Sequence, residues 1–256
     1  MVKWILVTVL VVLLGLSYLI RQPNRLNDIE QAKKAWDLVG NAKRVLLLGA
    51  HPDDAEWYAA GTLVKFLRAG ATVTVVVATN GEKGRGSHVD LGKLRQSEQQ
   101  RAAQLAGYTR LEMWGLPDRG LSAQEDLEDR VRQIWLETQP EVVLSFDSQY
   151  PALPYIHPDH QAIGWAVYRV WESLGDTPGN RPVLMLFHSR RPNALVDISD
   201  TIEVKLAAIA AHESQGFQRS AQSMLGRRNA ATGKAAGMAF AESFRLVTGG
   251  VALETK

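Results

Sequence analysis

From Val45 to Ala50 the chain reads VLLLGA, apolar at consecutive positions directly after Arg44. Side chains of a strand alternate between the two faces of its sheet, so a strand apolar at every position must be covered on both faces. Strands of that kind belong to parallel sheets flanked by helices. The pattern then alternates. A helical stretch is expected from Glu56 to Arg68, closed by Gly70, then a β-branched strand from Thr72 to Ala78 and a glycine-rich loop from Asn80 to Gly86. A helix from Leu91 to Ala106 ending at Gly107, a strand at Arg110 to Trp114, a helix at Ala123 to Thr138 and a strand at Glu141 to Phe146 follow. Further on, a helix at His160 to Trp171, a strand at Val183 to His188 and a helix at Thr201 to Ala211 continue the series. This order predicts an α/β fold, a Rossmann-like doubly wound, mostly parallel sheet with helices on both faces. Ligands of such sheets bind beyond the carboxyl ends of the strands, so the loops after Ala50, Ala78, Trp114 and Phe146 are where a site should form.

The N-terminal end has a different character. Trp4 to Ile20 reads WILVTVLVVLLGLSYLI, without a charge, at the short end of what spans a bilayer core. No A-x-A-like cleavage site follows it before Arg21 and Pro23. The expectation is an uncleaved N-terminal transmembrane helix over residues 1–21, a polar tether over 22–42 with an amphipathic patch at Ile29, Ala32, Trp36 and Val39, and one catalytic domain over 43–256. Lys3 on one side of the apolar run faces Arg21, Arg25, Lys33 and Lys34 on the other, a bias that puts the domain on the cytoplasmic side of a membrane. The 29 basic and 27 acidic residues nearly cancel and no long basic run occurs, which argues against a nucleic-acid partner. Oligomeric state is not legible from the chain.

Two tetrapeptides carry the chemistry. His51-Pro52-Asp53-Asp54 comes directly after the first predicted strand, and His157-Pro158-Asp159-His160 ends the loop after the fourth. One His-Pro-Asp alone is good turn chemistry. Two of them, each at the end of a different buried strand, point to a ligand pocket. With no cysteine in the chain, thiolate sites, disulfides and Cys nucleophiles are all excluded, and any metal must be held by His and carboxylate. Hydrolytic metal sites use about three protein ligands and leave one position open, and imidazole with carboxylate suits zinc, with iron(II) or cobalt(II) as substitutes.

Ala50-His51-Pro52-Asp53-Asp54-Ala55-Glu56, Gly61-Thr62-Leu63 and His157-Pro158-Asp159-His160 together resemble the PIG-L-type, or LmbE-like, zinc de-N-acetylases. Thr79-Asn80-Gly81-Glu82, the spacing of Arg95, Glu98 and Ala102, Leu116-Pro117-Asp118, and Lys205 with His212-Glu213-Ser214-Gln215 extend the resemblance over Val45 to Phe244. Many members read His-Pro-Asp-Asp-Glu, whereas here Ala55 intervenes before Glu56, which leaves the role of Glu56 open. The resemblance implies that His51, Asp54 and His160 bind the metal and that Asp53 is the general base. It implies that His157 stabilises the oxyanion, with Asp159 orienting it or tuning its charge and Tyr155 assisting; a fourth metal ligand or a helix-capping histidine is the other reading of His157. Glu82, Arg85 and Asp118 fall in loops on the same edge and are expected to hold sugar hydroxyls or a negatively charged group. His88, His188 and His212 lack ligand spacing and read as structural or surface residues. The implied activity is hydrolysis of the N-acetyl group of an N-acetylglucosamine-containing molecule, a lipid-linked one if the anchor holds the enzyme at a membrane. An amidase for a larger acyl or thiol-conjugate substrate and a non-catalytic, membrane-tethered sugar-binding module are the alternatives.

Overall fold

The computed structural model describes residues 26, 28–85, 89–174 and 181–249. Two short helices, Ile29–Lys33 and Ala35–Val39, precede the first strand and pack against the far edge of the sheet through Ala32, Ala35 and Val39, all buried. The seven strands are β1 Arg44–Gly49, β2 Thr72–Thr79, β3 Arg110–Leu116, β4 Val142–Phe146, β5 Val183–Phe187, β6 Ala194–Asp197 and β7 Ala241–Val247. They form one sheet in the order β3-β2-β1-β4-β5-β7-β6. The first five are mutually parallel; β7 runs antiparallel to β5 and to β6. Every residue of β4, and all but the first of β1 and β2, is buried. Both faces of the central strands are therefore covered, as their unbroken apolar runs require. The Leu127–Thr138 and Pro158–Ser173 helices pack on each other and on β1, while Ala60–Arg68, Leu91–Ala106 and Ile202–Ala210 form a second packed group.

The order reverses between β1, which continues toward β2 and β3, and β4, which continues toward β5. That switch point leaves a crevice beyond the carboxyl ends of β1 and β4. The two His-Pro-Asp segments emerge there. One helix expected to be continuous is not: the stretch from Glu56 to Arg68 is broken at Ala59 (φ −140°) into Asp54–Tyr58 and Ala60–Arg68. The break is filled by a buried ion pair. Lys205 Nζ donates to Trp57 O at 2.9 Å and to Glu242 Oε1 at 2.5 Å, and the Glu242 carboxylate accepts from Gly61 N at 3.1 Å and Thr62 N at 2.8 Å. These bonds satisfy helix-end groups that a continuous helix would have paired internally. Gly61 is required by the neighbouring strand exit, since a Cβ there would lie 2.8 Å from Ile198 Cβ.

The expected transmembrane helix and single-pass membrane location need correction. No helix among the described residues is long and apolar enough to cross a membrane. The longest two, Leu91–Ala106 and Pro158–Ser173, have 16 residues each and pack against the domain, below the ~20 apolar residues a bilayer core requires. Residues 4–20, on which the expectation rested, lie outside the described residues.

Candidate active site

His51 leaves β1 and Asp54 opens the short helix that follows. The Asp54 carboxylate turns back on the strand end, where its Oδ2 accepts from Ala50 N and His51 N, both at 2.8 Å. Gly49 permits this, because a Cβ there would lie 3.1 Å from Asp54 Cβ. His160 arrives from the other side of the switch point, in the first turn of the Pro158–Ser173 helix, its ring stacked on Phe146 of β4 with centroids 3.8 Å apart. His51 Nδ1 and His160 Nε2 then lie 3.2 Å apart, His160 Nε2 is 3.4 Å from Asp54 Oδ1, and His51 Nδ1 is 3.7 Å from Asp54 Oδ2. All three residues are buried.

This donor set fits a divalent ion. Ligands bonded at about 2.0–2.1 Å around a tetrahedral zinc are separated by about 3.3 Å, which the His51–His160 and His160–Asp54 Oδ1 separations approach, while His51 faces the other Asp54 oxygen. The remaining His51 nitrogen supports the fit: Nε2 lies 3.1 Å from Asp118 Oδ1 and 3.2 Å from Asp159 Oδ2, so in the neutral ring the proton belongs on Nε2 and the Nδ1 lone pair faces His160 and Asp54. His160 Nδ1 is buried without a hydrogen-bond partner, so stacking on Phe146, not a second hydrogen bond, orients that ring. Electrostatics point the same way. Burial alone would lower the His51 pKa, but hydrogen bonds to Asp118 and Asp159 and the charge of Asp54 outweigh it and raise it to about 10. Burial would raise the Asp54 pKa, yet His160, His51 and a backbone amide hold it well below the usual carboxylate range. The carboxylates around His51 favour positive charge at this point. His157 also converges here, with ligand atoms of His51, His157 and His160 within 4.8 Å of one another.

Asp53 sits between the ligands with a left-handed backbone (φ 106°, ψ −19°), a conformation that costs a non-glycine residue on the order of 1–3 kcal/mol. Its amide donates to Gln99 Oε1 at 3.0 Å and its carboxylate pairs with Arg95 Nη2 at 2.9 Å. Arg95 also donates to Pro52 O and Gly81 O. Burial raises the Asp53 pKa, opposed by Arg95. His157 caps the Pro158–Ser173 helix, and its Nδ1 accepts from Asp159 N at 3.2 Å, which leaves the ring proton on Nε2. Burial, then the charges of His51 and His160, lower its pKa, so it is a neutral donor. The Asp159 carboxylate faces His51 and the amides of Arg119 and Leu121 at 2.6 and 3.1 Å, while its backbone amide donates to His157.

These groups line a cavity of about 650 Å³ whose walls include His51, Asp53, Asp54, His157, His160 and Tyr155. Arg85 and Asp118 also line it, but the Asp118 oxygens are already engaged by His51 and by Lys83 N. Glu82 does not reach it; it accepts from Asp118 N and borders a neighbouring cleft with Asn80 and Asp90. Its lining also includes the cations Lys83, Arg85 and Arg119 and the apolar Trp57, Phe217 and Met224.

The model of the PIG-L family, described as GlcNAc-PI de-N-acetylase, matches residues 46–171. The diacetylchitobiose deacetylase of Thermococcus kodakarensis is 30% identical over 192 residues, covering 68% of this chain and 71% of that protein. This chain belongs to the PIG-L family. Another relative, the "Probable N-acetyl-alpha-D-glucosaminyl L-malate deacetylase 2" of Bacillus anthracis, is 31% identical over 193 residues, with 68% and 82% of the two chains covered. The crystal structure of the N,N'-diacetylchitobiose deacetylase from Pyrococcus horikoshii with its inhibitor MPG superposes with a TM-score of 0.74 at 25% identity, covering 86% of this chain and 89% of that one. These three relatives are deacetylases by name, and the superposition shows that the fold described above is shared with the Pyrococcus horikoshii enzyme. Sequence reasoning missed the residues that surround Asp53. Arg95 was visible only through its spacing to Glu98, and Gln99, Phe217 and Met224 gave no signal, since each reaches the site by packing of distant segments.

Proposed function

We propose that this PIG-L protein is a metal-dependent N-deacetylase that hydrolyses the acetamide of an N-acetylglucosamine-containing substrate to acetate and a free amine. One observation carries the reading: polar atoms of His51, Asp54 and His160 converge within 3.2–3.7 Å of one another, with the Asp53 carboxylate beside them, in an open cavity. His51 Nδ1, His160 Nε2 and Asp54 would hold the ion, zinc by the nature of the donors, with iron(II) or cobalt(II) as substitutes. When bound, such an ion polarises an amide carbonyl and acidifies water.

The chain's own groups supply the proton traffic. Asp53 takes a proton from the attacking water and delivers it to the departing amine; the raised pKa that burial gives it suits a group that must hold the proton in between. His157, neutral with its proton on Nε2, donates to the oxygen that gains charge, and the Tyr155 hydroxyl is a second donor from the cavity mouth. Asp159 and Asp118 fix the His51 tautomer. Arg85, with Lys83 and Arg119, offers hydrogen bonds to sugar hydroxyls or to an anionic substituent, while Glu82 acts on Asp118.

The names of the relatives support an acetamido sugar as substrate. A lipid-linked substrate is not part of the proposal. The test is acetate release by the full chain from N-acetylglucosamine, diacetylchitobiose and N-acetylglucosaminyl malate, before and after metal removal and zinc addition. Acetate that disappears with the metal and returns with zinc is the expected result. Release of a larger acyl group from another amide, or no hydrolysis by folded, metal-loaded protein, would overturn it.

A further inference from the structure

Behind Asp53, on the side away from the cavity, runs a chain of buried polar groups that the chemistry above does not use. Gln99 Oε1 accepts the Asp53 amide, Gln99 Nε2 donates to Glu56 Oε1 at 3.1 Å, and His212 Nε2 donates to Glu56 Oε2 at 3.2 Å. Gln99, Glu56 and His212 are each 0% exposed. Burying a carboxylate and an imidazole is costly unless their contacts do something that apolar groups could not. We propose that Glu56 and His212 are positioning residues for the base: they fix the orientation of the Gln99 amide, which in turn holds Asp53 in its left-handed conformation. This rests on the reading of Asp53 as the base.

The argument turns on the symmetry of an amide. The oxygen and nitrogen of a glutamine side chain are nearly isosteric, so Gln99 has two flip states, and only one presents an acceptor to Asp53 N–H. A carboxylate can only accept. The Glu56 carboxylate therefore draws the NH₂ toward itself and leaves Oε1 for Asp53, while His212 Nε2 holds the other Glu56 oxygen. Asp53 O accepts Trp57 N at 2.8 Å and Arg95 holds the carboxylate, so the Gln99 bond is the third restraint on one residue. Released on its amide side, a non-glycine residue at φ 106° relaxes toward negative φ and carries its carboxylate with it.

The experiment compares wild type with Gln99→Met, Glu56→Met, Glu56→Gln and the double variant Gln99→Met/Glu56→Met, all zinc-loaded, by acetate release and by hydrogen exchange of the peptide covering residues 51–56. Expected are a kcat lower by about 10- to 100-fold in both Met variants, KM and zinc content unchanged, and a double variant no worse than the worse single. Exchange at 51–56 should rise about tenfold or more while β1 and β4 stay protected. Glu56→Gln keeps an acceptor for Gln99 and should lose only about two- to fivefold. That variant also serves if the Met variants do not fold. A kcat within twofold of wild type in folded, zinc-loaded Gln99→Met or an unchanged kcat in Glu56→Gln overturns the relay, as do losses that appear in KM alone. If Asp53→Asn were fully active, the base assignment would fall and the relay with it. If wild type released no acetate from any probe, the substrate reading would fail, and the exchange measurement would still decide whether Gln99 and Glu56 hold Asp53.

Discussion

Asp53→Asn separates chemistry from folding more cleanly than any other change at this site. Asparagine has the same shape, and its Oδ can still accept from Arg95 where the carboxylate now does at 2.9 Å. Its amide remains available to Gln99. The left-handed φ of 106° also suits asparagine better than most residues. Exchanging a charge-assisted bond for a neutral one costs about 1 kcal/mol, and a few tenths return from the backbone, so stability should change by no more than about 1 kcal/mol. What asparagine lacks is proton affinity. General-base catalysis contributes about 10²–10⁴ in rate, so kcat should fall by that factor, about 3–5 kcal/mol of activation free energy. The assay pairs acetate release with zinc content and thermal unfolding. A folded variant carrying full zinc and retaining more than about a tenth of wild-type kcat would refute Asp53 as the base.

Three further outcomes follow from particular contacts. His157→Ala should retain zinc and lose about 10²–10³ in kcat, as for removal of an oxyanion donor; a tenfold or greater fall in zinc affinity, measured by competition with a chelator, would show it to be a ligand instead. Gly164, one turn beyond His160 in the Pro158–Ser173 helix, packs so tightly on β4 that a Cβ would lie 2.6 Å from Phe146 O and against Ser148 Oγ. Gly164→Ala should cost about 1–3 kcal/mol in urea unfolding and weaken zinc binding by displacing His160; an unchanged midpoint would refute the packing argument. Burial, then the charges of Arg228 and His160, push His188 down to about 4. Between pH 6.5 and about 4 the unfolded chain therefore binds a proton that the native one does not, and stability falls as pH falls through that window. His188→Asn, compatible with the φ of 55° at this position, should flatten that part of the unfolding-versus-pH curve, and an unaltered slope would count against the assignment.

The legible part of the molecule was the part encoded locally. The apolar run at 45–50 and its repeats announced buried parallel strands because each carries its own burial pattern. The Leu91–Ala106 helix stood out because Gly107 closes it in the left-handed region. His51, Asp54 and His160 could be placed together because the topology brings the ends of β1 and β4 to one crevice. What was hidden depends on partners far along the chain. The break at Ala59 is set by Lys205 and Glu242, and no local property of residues 56–68 reveals it. The β6–β7 pair was missed for the same reason: its strands are 4 and 7 residues long, and β7 finds its place against β5 and β6 only in the assembled sheet. Asp159 was expected to act on its near neighbour His157; its carboxylate lies near that ring and also reaches His51, a contact between segments 108 residues apart that the sequence could not show.

The Leu91–Ala106 helix explains why this edge of the sheet is rigid enough for chemistry although it is built from loops. Arg95, Glu98 and Gln99 stand at i, i+3 and i+4, hence on one face, and all three are buried. Each grips a different connection. Arg95 holds Pro52, Asp53 and Gly81; Gln99 holds the Asp53 amide; Glu98 accepts from Ser214 N and Oγ, both at 2.7 Å. Gln215, next in that turn, then binds both the amide and the carbonyl of Arg85. The loops that leave β1 and β2 are thereby tied, through polar side chains of one helix, to the segment after the Ile202–Ala210 helix. An apolar face could cover these loops but could not saturate their backbone groups, and the unsatisfied amides would leave the carboxylate and the cationic wall without fixed positions. The inward face of this helix is polar at Arg95, Glu98 and Gln99 because there it packs against the active-site backbone, and apolar at Ala102, Ala103 and Ala106, where it packs against its neighbouring helices.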